Sequence, residues 1–150
     1  MEDRELLLRY VAFRMTPYMD YEPNLSTFLD TAMEKLDALT LKECEDYWKE
    51  LEKAIRTYAA LFDSSRFGKT LTNRCRLNSA LFETWASELG KLTDAELLLL
   101  RNKKGAIKAE YEQLLQNDET FKTSFTRRTS NKNILRDRFN IIHNLIKKYT

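Results

Sequence analysis

The sequence predicts an all-α protein, a single compact domain of seven or eight helices over residues 1–150, and three observations point there. Only three glycines and two prolines occur in 150 residues, too few for the turns of a β-rich fold. Apolar residues recur at three- and four-residue spacing along most of the chain, the period of a helix with one buried face. Several of these stretches also open on a capping residue: Asn24, Thr40, Asn78 or Thr93. A chain of this length buries roughly 70% of the surface its unfolded form exposes. Its 43% hydrophobic and 11% aromatic content supplies the apolar surface that offsets chain entropy.

The first helix is expected over residues 2–15, with Leu6, Tyr10 and Phe13 on one face and Glu2, Asp3 and Glu5 at the end where the helix dipole favours negative charge. Pro17 stops it. A second helix follows the Asn24 cap, with Leu25, Phe28, Leu29, Ala32, Met33, Leu36 and Leu39 in step. Thr40 and Glu43 form a capping-box pattern that opens the third. There Cys44, Tyr47, Trp48, Leu51, Ile55, Tyr58 and Phe62 trace one stripe over five turns. This stripe predicts the central core helix, with its aromatics packed inside rather than displayed as a base-stacking platform. Glu43, Glu45, Asp46, Glu50 and Glu52 are read as its solvated side.

Residues 63–85 interrupt the periodicity with a glycine, turn formers and four basic residues. Phe67 reads as a core plug. Asn78 then caps a helix reaching about Leu89, with Leu81, Phe82, Trp85 and Leu89 inward and Gly90 as its C-cap. Thr93 with Glu96 opens a helix to Leu100, and another runs from about Asn102 to Leu115, weakened by Gly105. One or two turns are expected over residues 118–125. The last helix covers residues 131–148, with Leu135, Phe139, Ile142, Ile146 and Tyr149 inward and Lys147 and Lys148 in its final turn.

Charge divides the chain. Residues 1–62 hold 8 Lys/Arg against 13 Asp/Glu, whereas residues 63–150 hold 17 against 10. Two basic clusters stand out: Arg66, Lys69, Arg74 and Arg76, then Lys122, Arg127, Arg128, Lys132, Arg136 and Arg138, interleaved with Ser and Thr. Guanidinium forks and hydroxyls are the groups that meet phosphate oxygens. The candidate nucleic-acid contacts are therefore Arg66, Lys69, Arg74, Arg76, Arg127, Arg128, Lys132 and Arg136, with DNA as a candidate partner.

Little else suggests chemistry. His143 is the one histidine and has no Cys or carboxylate at ligand spacing, so a structural role is expected and no metal or cofactor. The sequence holds no Walker loop, GxGxxG turn, HExxH helix or GxSxG elbow. Phe67-Gly68-Lys69-Thr70 lacks the glycine four residues upstream of Gly68 that a Walker loop needs. Cys44 and Cys75 lack CxxC spacing and read as reduced thiols. No apolar run approaches the roughly 20 residues of a membrane span, and the acidic start carries no hydrophobic leader of the usual length. A cytoplasmic protein without membrane contact is expected.

The segments MEDRELLLRYVAF at residues 1–13 and RFGKTLTNRCRLNSALFETWASELGKL at residues 66–92, with Phe28 and Leu29 between them, resemble the C-terminal helical region of GmrSD-type prokaryotic restriction proteins. That family has a ParB-like N-terminal domain with a DGQQR-type motif, and this helical region is a domain of unknown function. Its Asn-x-Ala-Leu-Phe helix matches Asn78, Ala80, Leu81 and Phe82. The DGQQR motif and the HNH nuclease domain of many members have no counterpart here, so no catalytic residue carries over. The resemblance implies a non-catalytic module of a restriction or phage-defence protein, an excerpt or truncation of a longer chain. Its partner would be the missing N-terminal domain or a second copy, with part of Leu7, Leu8 and Val11 left exposed or in a dimer contact. The alternative is a free-standing helical protein-binding adaptor or antitoxin-like regulator.

Overall fold

The computed structural model describes the whole chain except Met1, Ser65 and Asn73. The described residues form eight α-helices, one 3-10 turn and no strand: α1 Glu2–Met15, the turn Tyr18–Asp20, α2 Leu25–Asp37, α3 Leu41–Phe62, α4 Ser79–Gly90, α5 Asp94–Asn102, α6 Lys104–Asn117, α7 Glu119–Ser124 and α8 Lys132–Lys148. The expected caps are in place. Asn24 accepts from the Thr27 amide and Asn78 from the Leu81 amide, while Thr40 with Glu43 and Thr93 with Glu96 close full capping boxes. Each satisfies amides that a helix start leaves without partners. No described helix is long and apolar enough to cross a membrane.

The core is organised around α4 rather than α3. Every residue from Ala80 to Gly90 is buried, because α4 lies between α1 and α3 and meets α8 on a third side. Trp85 sits at its centre, edge-on to Tyr58, Phe62 and Tyr111 at ring centroid distances of 4.9–5.6 Å. Aromatic pairs favour this offset geometry. A smaller apolar cluster of Phe13, Tyr21, Leu135 and Phe139 joins α1 and the 3-10 turn to α8.

The expected stripe of α3 is half right. Leu51, Tyr58 and Phe62 are buried, but no residue of α3 before Leu51 is, and Trp48 is 59% exposed. The reason is length. At 1.5 Å per residue α3 extends over about 30 Å, and Glu50 already stands beside Leu89 and Gly90 at the end of α4. In α2 only Ala32 is buried, and Met33 faces outward. Glu50 leaves the solvated side predicted for it, accepting hydrogen bonds from Arg14 Nε at 2.9 Å and from the Tyr10 hydroxyl at 3.3 Å. Gly90 is the last residue of α4 and not its C-cap, which is Lys91. The glycine serves a close approach instead, since a Cβ there would stand 2.9 Å from the Tyr10 hydroxyl.

Candidate nucleic-acid interface

The described residues of 63–78 form a closed surface loop between α3 and α4. Asp63 ends α3 in the left-handed conformation (φ 54°), which a helix C-terminus readily takes, and binds Lys104 and Lys108 of α6 at 2.5 and 2.9 Å. Those two hydrogen bonds hold the Asp63 carboxyl below the usual carboxylate range. Phe67 fills the core as expected, stacked 3.9 Å from Tyr58 and edge-on to Phe82. Its φ of 50° is unusual for a bulky residue and is held by that packing. The Asn78 amide donates to the Phe67 carbonyl at 3.1 Å, and Gly68 lies so close to Cys75 that a Cβ would fall 2.0 Å from its Sγ. The two limbs are thus pinned together, and Arg66, Lys69, Arg74 and Arg76 stand exposed around them.

Asn78 also joins this loop to the second basic segment. While its Oδ1 caps α4, its Nδ2 donates to the Phe125 carbonyl at 2.8 Å. Arg76 and Arg127 each lie two residues from that bond. Chain geometry then keeps their Cα atoms within roughly 25 Å, less than one turn of B-form duplex. Arg127 and Arg128 are exposed. No described residue forms an ion pair with Arg66, Lys69, Arg74, Arg76, Arg127 or Arg128; elsewhere Lys53, Arg56, Lys91 and Lys148 are paired, while exposed Lys42, Lys49 and Lys103 have no carboxylate partner among the described residues.

The remaining basic candidates point elsewhere. Lys132 binds Glu22, holding that carboxyl below its ordinary range, and Arg136 donates to the Met19 carbonyl. Lys122 pairs with Glu119 at 3.1 Å. Arg138 is fully buried: it donates to Glu83 Oε1 at 2.6 Å, Thr84 Oγ1 at 2.8 Å, and the Ser124 and Thr129 carbonyls at 2.6 and 3.1 Å. Arg9 binds the other oxygen of Glu83 at 2.7 Å. Burial lowers the Arg138 pKa despite Glu83, yet a guanidinium starts so far above neutrality that it stays charged. Residue spacing alone did not reveal this network. Arg138 does fall beside Phe139 on the apolar face of α8, and that position was the available signal.

His143 places Nδ1 2.9 Å from Glu88 Oε2, and Lys91 binds the other oxygen at 2.8 Å. Among the described residues no group of three or more His, Cys, Asp or Glu side chains is placed to hold a metal. A groove of about 460 Å³ runs between Asp3, Glu5 and Leu6 of α1 and Arg76, Leu77 and Ser79. Its walls mix both signs of charge, and it opens beside the basic loop. Of the α1 residues expected to face a partner, Leu7 is 39% exposed, Leu8 is half-buried and Val11 lies in the core.

Fold and site together define an all-α helical domain with a paired-loop basic end. The chain matches no protein-family model, no curated protein and no solved structure.

Proposed function

We propose that this chain is a non-catalytic helical module that holds nucleic-acid phosphates at the end formed by residues 63–78 and 125–128, as part of a cytoplasmic restriction or phage-defence protein. One observation supports it above the others. The Asn78 side chain ties two loops together, and six cations on them pair with no carboxylate of the described residues. Unneutralised cations at this spacing suit the phosphate backbone, a contact that positions the protein without reading sequence. Exposed Leu7 on α1 suits the packing of a further domain of the same protein.

The test is a titration of labelled duplex against the protein and against a variant with Arg66, Lys69, Arg74 and Arg76 all changed to Gln. The native chain should bind in the range of non-specific contacts, about 0.1 mM or tighter. The variant should lose affinity to the same degree on unrelated sequences. Binding no tighter than about millimolar at low salt, or equal binding by the variant, would overturn the proposal.

A further inference from the structure

Leu41, Glu45, Trp48 and Glu52 fall at i, i+4, i+7 and i+11 of α3, so they form one row along its projecting half. All four are exposed, Leu41 by 78%. Exposed single apolar residues are ordinary. A large indole set between two carboxylates on a helix that has outrun its own core is a more specific arrangement. A guanidinium can lie over the indole face while its N–H groups reach the carboxylates on either side. Within the row only Glu52 has a partner among the described residues, Arg56, and that pair is itself exposed.

Charge argues for what covers the row. Residues 41–52 carry five acidic and two basic side chains, and residues 63–78 carry four basic and one acidic. Two copies meeting row to row would set like charges against each other, which disfavours a symmetric dimer. The complementary surface is the basic loop, where exposed Arg74 and Arg76 are followed by exposed Leu77. Within one molecule the two surfaces lie apart. Trp48 precedes Tyr58, on which Phe67 stacks, by ten residues, or about 15 Å along the helix axis.

We propose that the Trp48 row is a docking surface for a second copy of this chain, which seats its residue 63–78 loop there in a head-to-tail contact. Such a contact leaves one free row and one free loop at the ends of an open dimer, so it continues until a ring closes or a longer assembly forms. Association through this row needs no nucleic acid, so it is measured with none present.

The experiment is sedimentation velocity from micromolar to near-millimolar protein at low and high salt. It compares the native chain with Glu45→Lys/Trp48→Ala and with Arg74→Glu/Arg76→Glu; all four positions are exposed, and circular dichroism checks that each variant folds. The native chain should associate progressively past the dimer and dissociate as salt rises. Each variant should associate at least about tenfold more weakly, as loss of an interface tryptophan or charged anchor commonly does. An equimolar mixture of the two variants should form dimers and stop, since each keeps the half that the other lacks. A native chain that stays monomeric, a mixture that stays monomeric, or association that salt does not weaken would each overturn the proposal.

Discussion

Changing Glu83 to Ala tests the arrangement that holds α1, α4 and α8 together. The Arg138 side chain is 0% exposed, that of Glu83 is 2% and that of Arg9 is 12%. Without Glu83, Arg138 keeps only neutral acceptors in a dry site and Arg9 keeps Glu5, which is more than half exposed. Removing one partner of a buried ion pair costs about 3–5 kcal/mol, because an uncompensated charge stays inside. In a chain of this size that corresponds to a fall in melting temperature of roughly 6–20 °C. Arg138→Met should cost less, since Glu83 retains Arg9 and an apolar chain of similar length fills the space. The double variant Glu83→Ala/Arg138→Met should fall short of the sum by about 1–3 kcal/mol, the usual coupling of residues in one network. Urea unfolding monitored by tryptophan fluorescence measures all three values. Additive costs, or a Glu83→Ala protein within about 1 kcal/mol of the native chain, would refute the coupling argued from the structure.

Two glycines should respond to the same change with opposite signs. Gly105→Ala meets no atom within 4 Å and should stabilise α6 by roughly 0.5–1 kcal/mol. Gly90→Ala drives a Cβ to 2.9 Å from the buried Tyr10 hydroxyl and should cost about 1–3 kcal/mol through overpacking; thermal melts of both variants check the pair. Asn78→Ser keeps a cap for α4 but removes the donor to the Phe125 carbonyl, so unfolding should change little while duplex affinity falls. Asn78→Ala should show that same loss of affinity plus a stability cost of about 1 kcal/mol from the missing cap. The Glu110 carboxyl lies below its ordinary pKa because the Tyr149 hydroxyl and then Lys148 hydrogen-bond to it. Its contribution is therefore complete above the unfolded value near 4.3 and disappears as pH falls through the lower folded value. Tyr149→Phe should move the Glu110 carboxyl titration upward in an NMR pH series; an unchanged midpoint would count against this account.

Helix order and boundaries were legible because their signals are local. Asn24, Thr40, Asn78 and Thr93 each bond an amide three residues away, so four residues of sequence suffice to place a helix start. The identity of the central helix was not local. In α4, Glu83, Ser87 and Glu88 resemble a solvated side, and they are buried because Arg9, Arg138, Lys91 and His143 arrive there. Three of those four come from other helices, at sequence separations no periodic pattern records. The reverse holds for Trp48, which keeps the apolar spacing yet is exposed, because α1 meets this half of α3 on the side of Tyr47 and Glu50. At the candidate site, composition identified the basic residues, but which of them are already neutralised depends on distant partners. Glu22 engages Lys132, Glu83 engages Arg138, Glu119 engages Lys122 and the Met19 carbonyl accepts from Arg136, and six exposed cations remain.

The central claim, that the two joined loops bind phosphate together, is tested most directly by the salt dependence of duplex affinity. Six contacting cations set a limiting slope of about −5 for log K against log salt. Arg74→Gln/Arg127→Gln, which removes one cation from each loop, should reduce its magnitude by about 2. A slope near zero for the native chain, or the same slope for the double variant, would contradict the account.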